Sequence, residues 1–121
     1  MSTFMFLLSD NPANDAALSP EALEALLARY MAWTSRMAQE GRLRGGEKLR
    51  DEGGRLLTNE AGHVVVRDGP YAELREVVSG YFLIEAADYD EAVAIARTCP
   101  HAERPGSMQI REIEVLGPPE A

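Results

Sequence analysis

An α+β fold is what the amino-acid sequence predicts, and three observations predict it. Two short segments, Thr3–Leu8 and Gly80–Ala86, are apolar on both alternating faces, as strands covered on both sides are. Two other segments open with helix-start chemistry and continue with apolar residues at three- and four-residue steps. Between them, paired glycines and a Glu-Ala-Gly triplet divide extended pieces from one another.

In Thr3–Leu8, Phe4, Phe6 and Leu8 share one face while Met5 and Leu7 share the other, so this strand is placed centrally in its sheet. Asp10–Ser19 reads as loop. Ser19-Pro20-Glu21 then starts a helix over residues 20–40: a hydroxyl cap, a proline at the first position and an early acid suited to the helix dipole. Its apolar stripe is Leu23, Leu26, Leu27, Tyr30, Trp33 and Met37, and Gly41 ends it. Leu43–Arg67 reads as extended pieces, with Arg55–Thr58 and His63–Arg67 forming an antiparallel hairpin about Glu60-Ala61-Gly62. Asp68-Gly69-Pro70-Tyr71 marks a turn, because proline gives no N–H to a ladder. Gly80–Ala86 follows beside the first strand. Asp88 caps a second helix with Glu91 three residues on, Pro100 stops it, and Met108–Val115 is the last strand.

Strand, helix, strands, strand, helix, strand is the ferredoxin-like βαββαβ order with an extra middle hairpin. Two helices cover one face of such a sheet, yet its best strands are apolar on both. A second copy of the chain, packed sheet against sheet, covers the other face, which predicts a homodimer with the form of a dimeric α+β barrel.

The chain has 121 residues, 45% of them apolar, which suits a single domain over residues 1–116 with a frayed tail at 117–121. Twenty acidic against twelve basic side chains leave a net charge of −8, the wrong sign for binding phosphate backbones, so no nucleic-acid partner is expected. The N-terminus has no basic, signal-like start and no run reaches the length of a membrane span, so the expected location is cytoplasmic. The single cysteine, Cys99, forms no disulfide within the chain, and its place at a helix end argues for a buried structural thiol. There is no nucleophile elbow, phosphate loop or dinucleotide motif, and Cys99 with His101 is two ligands short of a metal site. No cofactor or metal is therefore expected.

Asp68 ends a strand at a turn, where a carboxylate acts as a general base or simply holds the turn. Glu47 follows Gly45-Gly46 and is a candidate partner for it, since two carboxylates in one site drive their pKa values apart. Glu73 and Glu76, three apart, suit an amine or a cation if that segment is helical. Tyr71 and Tyr81 are candidates for closing over an aromatic ligand or donating a phenol proton, against ordinary packing for Tyr81. His63 looks exposed. His101, after the Cys99-Pro100 stop, is the better acid–base histidine. These assignments give Asp68, His101 and Glu47 as candidate catalytic residues, and Tyr71, Glu73 and Tyr81 as candidate substrate-binding residues. The expected ligand is a small phenolic or carbonyl compound handled by cofactor-independent proton transfer. The rival is a ligand-binding or regulatory module without catalysis, marked by an exposed apolar patch away from the dimer face.

The ordered set Asp68-Gly69-Pro70-Tyr71-Ala72-Glu73, Arg75-Glu76 and Ser79-Gly80-Tyr81-Phe82-Leu83-Ile84 resembles the signature of the DGPF-domain, or YCII-related, family. Gly45-Gly46-Glu47 with Leu49, Cys99-Pro100, and Ile110-Arg111-Glu112-Ile113 fall in the family's order as well. The resemblance implies the dimeric ferredoxin-like fold, and since some members are encoded beside extracytoplasmic-function sigma factors, a protein partner of that kind belongs to the rival, regulatory reading. It departs at Tyr71, where the family has Phe, at Arg67, where Thr is frequent, and at Ser79, where a glycine pair is usual. Distant relatives carry a proposed catalytic His–Asp pair with an early histidine. Here no histidine precedes His63, so that pair does not carry over.

Overall fold

The computed structural model describes residues 1–11, 18–69 and 77–117. In chain order these form β1 (Ser2–Asp10), α1 (Pro20–Gln39), β2 (Leu43–Lys48), β3 (Arg55–Glu60), β4 (His63–Asp68), β5 (Val77–Ala86), α2 (Tyr89–Ala96), a short 3₁₀ turn (Pro100–Glu103) and β6 (Ser107–Glu112). The four-stranded sheet has the order β2-β5-β1-β6 with every neighbour antiparallel, and β3-β4 makes a separate two-stranded sheet. This is the ferredoxin-like α+β arrangement with an inserted hairpin. β1 lies between β5 and β6, as expected of a strand apolar on both sides.

Alternation sorts the sheet into two faces. Phe4, Phe6 and Leu8 of β1 pair across the ladder with Ile84, Phe82 and Gly80, and with Glu112, Ile110 and Met108. On this face Phe4, Phe6, Leu8, Ile84 and Ala86 are buried together with Trp33 and Met37 of α1 and Ala92, Ile95 and Ala96 of α2. Met5, Leu7, Tyr81 and Leu83 alternate onto the other face, with Met5 opposite Leu83 and Leu7 opposite Tyr81.

The helix caps form as read. Ser19 accepts from the Ala22 N–H at 3.1 Å, and Asp88 from the Glu91 N–H at 2.8 Å. Glu91 reaches back to the Ala87 N–H and also meets Arg42, and these two contacts hold its carboxyl below the usual glutamate range. The hairpin turns on Ala61 and Gly62, both with positive φ, the tight mirror-image geometry that suits the twist of paired strands.

Several boundaries differ from expectation. β1 runs on to Asp10, because Ser9 and Asp10 still pair with Val78 and Val77 past a bulge after Leu8. β5 begins three residues early for the same reason. The hairpin strands run to Glu60 and Asp68, β6 stops at Glu112, and His101 lies in a 3₁₀ turn rather than a loop. Pro70–Glu76 and the last four residues lie outside the described residues, and with them fall Tyr71, Glu73 and most of the supposed frayed tail.

Candidate functional site

Only Trp33 and Met37 of the predicted α1 stripe are buried; Leu23 and Leu27 are 41% and 43% exposed. The first turns of the helix stand over a cavity of about 350 Å³, within the range of small-molecule sites. Leu23, Leu26, Leu27 and Met31 supply its apolar wall, and Leu8 and Phe82 rise from the sheet.

The cavity is also lined by a polar cluster of Tyr30, His101, Asp10, Ser79 and Arg104, and by Thr34, Glu47, Lys48 and Asp51. His101 is 2% exposed. Its Nε2 lies 3.2 Å and 3.0 Å from the carbonyl oxygens of Ser9 and Ser107, which only accept, so Nε2 is assigned the hydrogen. Nδ1 is then an acceptor, and the Tyr30 hydroxyl, 2.9 Å away, donates to it. Burial pushes the Tyr30 phenol up to about 12. Beside this pair the buried carboxylate of Asp10 accepts from Ser79 Oγ at 2.7 Å and from the Arg104 guanidinium at 3.2 Å. The strand bulge is what delivers Ser79. By simple alternation it would share a face with Tyr81, whereas the extra residue turns its hydroxyl to Leu8 and Asp10.

The expected site residues are dispersed. His101 lies in the cluster. Glu47 and Tyr81 border the cavity, but they are direct partners in the β2–β5 ladder and alternate onto the sheet face opposite Phe82. Asp68 ends β4 with its side chain 87% exposed, ion-paired to Arg55 at 3.3 Å, and is not among the described residues lining the cavity. Its conformation there is that of a solvated hairpin end. His63 is exposed, and among the described residues no group of three or more His, Cys, Asp or Glu is placed to hold a metal ion.

Spacing alone does not mark Tyr30, Asp10, Ser79 or Arg104 as site residues: it places Tyr30 in the apolar stripe of α1 and Asp10 at the start of a loop. One signal was available for Asp10: it continues the alternation of Phe4, Phe6 and Leu8, and a carboxylate in a buried register needs a partner.

Cys99 is buried, as expected, and its thiol is pushed up to about 11 by burial. Cys99 and Tyr30 ionise near 9.0 and 10.0 in ordinary surroundings, so on alkalinisation the unfolded chain loses those protons first. Their contribution is therefore intact below about pH 9 and is lost as pH rises through the window from 9.0 to about 12. The urea midpoint is expected to fall between pH 8 and about pH 10.5, and to fall less in Cys99→Ala or Tyr30→Phe. A midpoint flat over that range in the parent would contradict this.

Among the described residues no helix is long and apolar enough to cross a membrane. A relative, the uncharacterized protein R00369 of Rhizobium meliloti (strain 1021), is 39% identical over 57 residues, and the match covers 46% of each chain. It thus spans about half the length of that relative. The YCII-related domain model matches residues 2–116, nearly the whole chain, and with the βαββαβ sheet beneath it the protein belongs to the YCII-related family.

Proposed function

We propose that the cavity is the active site of a cofactor-independent enzyme that moves a proton on a small carbonyl or phenolic compound. The observation that carries this is the Tyr30–His101 hydrogen bond in the lining of the cavity, with His101 Nε2 held by two backbone carbonyls. A phenol pushed up to about 12 is a poor base if it must become a free phenolate. It need not. As Tyr30 Oη takes a proton from the substrate, the phenol's own proton passes to His101 Nδ1. The phenol stays neutral, the imidazole becomes imidazolium, and the substrate becomes an enolate or phenolate. Arg104, hydrogen-bonded to Tyr30 and ion-paired with Asp10, is the cationic group of the cluster that a developing anion at Tyr30 meets. Returning the proton to another atom of the substrate completes an isomerisation and restores the pair.

The test needs no natural substrate: deuterium incorporation at the α-carbon of 2-indanone in D₂O, followed by NMR. The parent is expected to accelerate exchange, and Tyr30→Phe and His101→Gln to remove the acceleration. Exchange at the buffer rate in the parent would overturn the reading.

The working unit in this proposal is a two-fold homodimer joined through the face of Met5, Leu7, Tyr81 and Leu83, none of which is fully buried within the single chain. Light scattering at micromolar concentration is expected to give a dimer for the parent and a monomer for Leu7→Glu. A monomeric parent would refute it.

One observation favours a second reading, a binding or regulatory module whose partner is a protein such as a sigma factor. Leu57 and Val66 are paired on one face of the hairpin with Val64 beside them, and they are 63%, 57% and 65% exposed. Ligand binding without any proton exchange would favour this module.

A further inference from the structure

Beneath the first turns of α1 the sheet presents two glycines to the cavity, beside the side chains of Leu8 and Phe82. Gly46 pairs with Phe82, and Gly80 with both Leu8 and Lys48, so both glycines stand in the register that faces the helices. Neither position has room for a side chain. A Cβ on Gly46 would lie 2.7 Å from Phe82 Cδ1 and 2.9 Å from the Tyr81 carbonyl oxygen, and one on Gly80 would lie 2.7 Å from the Glu47 carbonyl oxygen. Both border the cavity, and the Phe82 ring lies against Gly46, so its floor combines glycine backbone, the kind of surface that strand glycines offer to a close-lying ligand, with the Phe82 ring and Leu8. The opposite wall is Leu23 and Leu27 of α1. Its volume, about 350 Å³, is more than twice the roughly 150 Å³ that holds benzene in an engineered apolar cavity.

We propose that the cavity takes a planar apolar body of about two fused rings with one oxygen substituent, its face on the Gly46–Gly80 floor and its oxygen toward Tyr30. The proposal rests on the reading of this cavity as the site of small-molecule binding and names the class of molecule it accepts. Planarity follows from the two walls, glycine backbone with the Phe82 ring below and leucine side chains above, and the Tyr30 hydroxyl is the donor that meets the oxygen. A puckered ring system of the same skeleton is thicker and must push α1 away from the sheet.

Calorimetric titration with 2-naphthol, decahydro-2-naphthol and naphthalene tests this. The flat alcohol is expected to bind at least tenfold more tightly than its saturated counterpart, and also more tightly than naphthalene. Because a substitution at either glycine shifts the sheet, the slot is altered from the helix side, at the partly exposed Leu27. Leu27→Ala is expected to bring decahydro-2-naphthol to within threefold of 2-naphthol, and Leu27→Trp to weaken 2-naphthol at least tenfold. Equal affinity for the flat and puckered alcohols in the parent, no binding of 2-naphthol at millimolar concentration, or no response to Leu27 would each overturn the proposal. Its failure is separable from failure of the acid–base reading. Flat-ring selectivity without 2-indanone exchange removes only the chemistry, and exchange without selectivity removes only the slot.

Discussion

Replacing Asp10 with alanine is expected to cost about 3–5 kcal/mol of folding stability, the range for removing one member of a buried ion pair. Asp10 is 6% exposed, and its two carboxylate oxygens accept separately, one from Arg104 and the other from Ser79. Alanine leaves the Arg104 charge without this carboxylate, in a place where its side chain is only 14% exposed. It also takes away the acceptor of the Ser79 hydroxyl. Against a total stability of about 5–15 kcal/mol for a domain of this kind, such a loss takes from about a fifth of the total to nearly all of it. Urea denaturation followed by the fluorescence of Trp33, the single tryptophan, measures it. Replacing both partners, as Asp10→Leu with Arg104→Met, is expected to recover much of the loss, because no charge is then left buried. A loss below about 1 kcal/mol for Asp10→Ala would mean that the pair behaves as a solvated one.

Tyr30→Phe is expected to slow the exchange of 2-indanone by about 10²–10⁴-fold, the range for a positioned acid–base group. The substitution keeps the ring and removes one oxygen. It leaves His101 Nδ1 without the donor that it now accepts from, at a cost of about 1–3 kcal/mol. His101→Gln is expected to give a similar rate loss, because the phenol then has no base to receive its proton, and the double variant is expected to lose little more than either alone. Additive losses would show that the two residues do not act as a unit. Destabilisation is controlled for by Thr98→Val, which removes the hydroxyl that Trp33 Nε1 donates to at 2.8 Å. Thr98 is not among the residues lining the cavity, so this variant should lose stability while exchanging at the parent rate.

What the sequence showed and what it hid divide by range. Strand and helix identity came from alternation, three- and four-residue spacing and caps such as Ser19 and Asp88, all set within a few neighbouring residues. The family resemblance, with its ordered Gly45-Gly46, Gly80 and Cys99-Pro100, reached the same order of elements independently. The polar cluster depends on residues far apart in the chain. Asp10 meets Arg104, Tyr30 meets His101, and Ser79 reaches Asp10 only because a one-residue bulge turns it. No local pattern encodes these pairings. Asp68, a carboxylate before glycine at a strand end, is conspicuous in one dimension. In three dimensions that strand belongs to the separate hairpin sheet, and the carboxylate is solvated. His101 was legible for a simpler reason: with two histidines in the chain, either one invites chemistry.

The placement of β1 carries a consequence for how the chain reaches this fold on the ribosome. Phe6 pairs with Phe82 on one side and with Ile110 on the other, so the central strand precedes both of its neighbours by most of the domain's length. During synthesis its apolar residues wait, without a ladder partner, until β5 and then β6 leave the exit tunnel. The β3–β4 hairpin, closed by a two-residue turn, can pair long before that. The earliest strand is thus the last to be flanked on both sides. Truncated chains ending before Ser107 leave one edge of β1 open, a template for pairing with other chains.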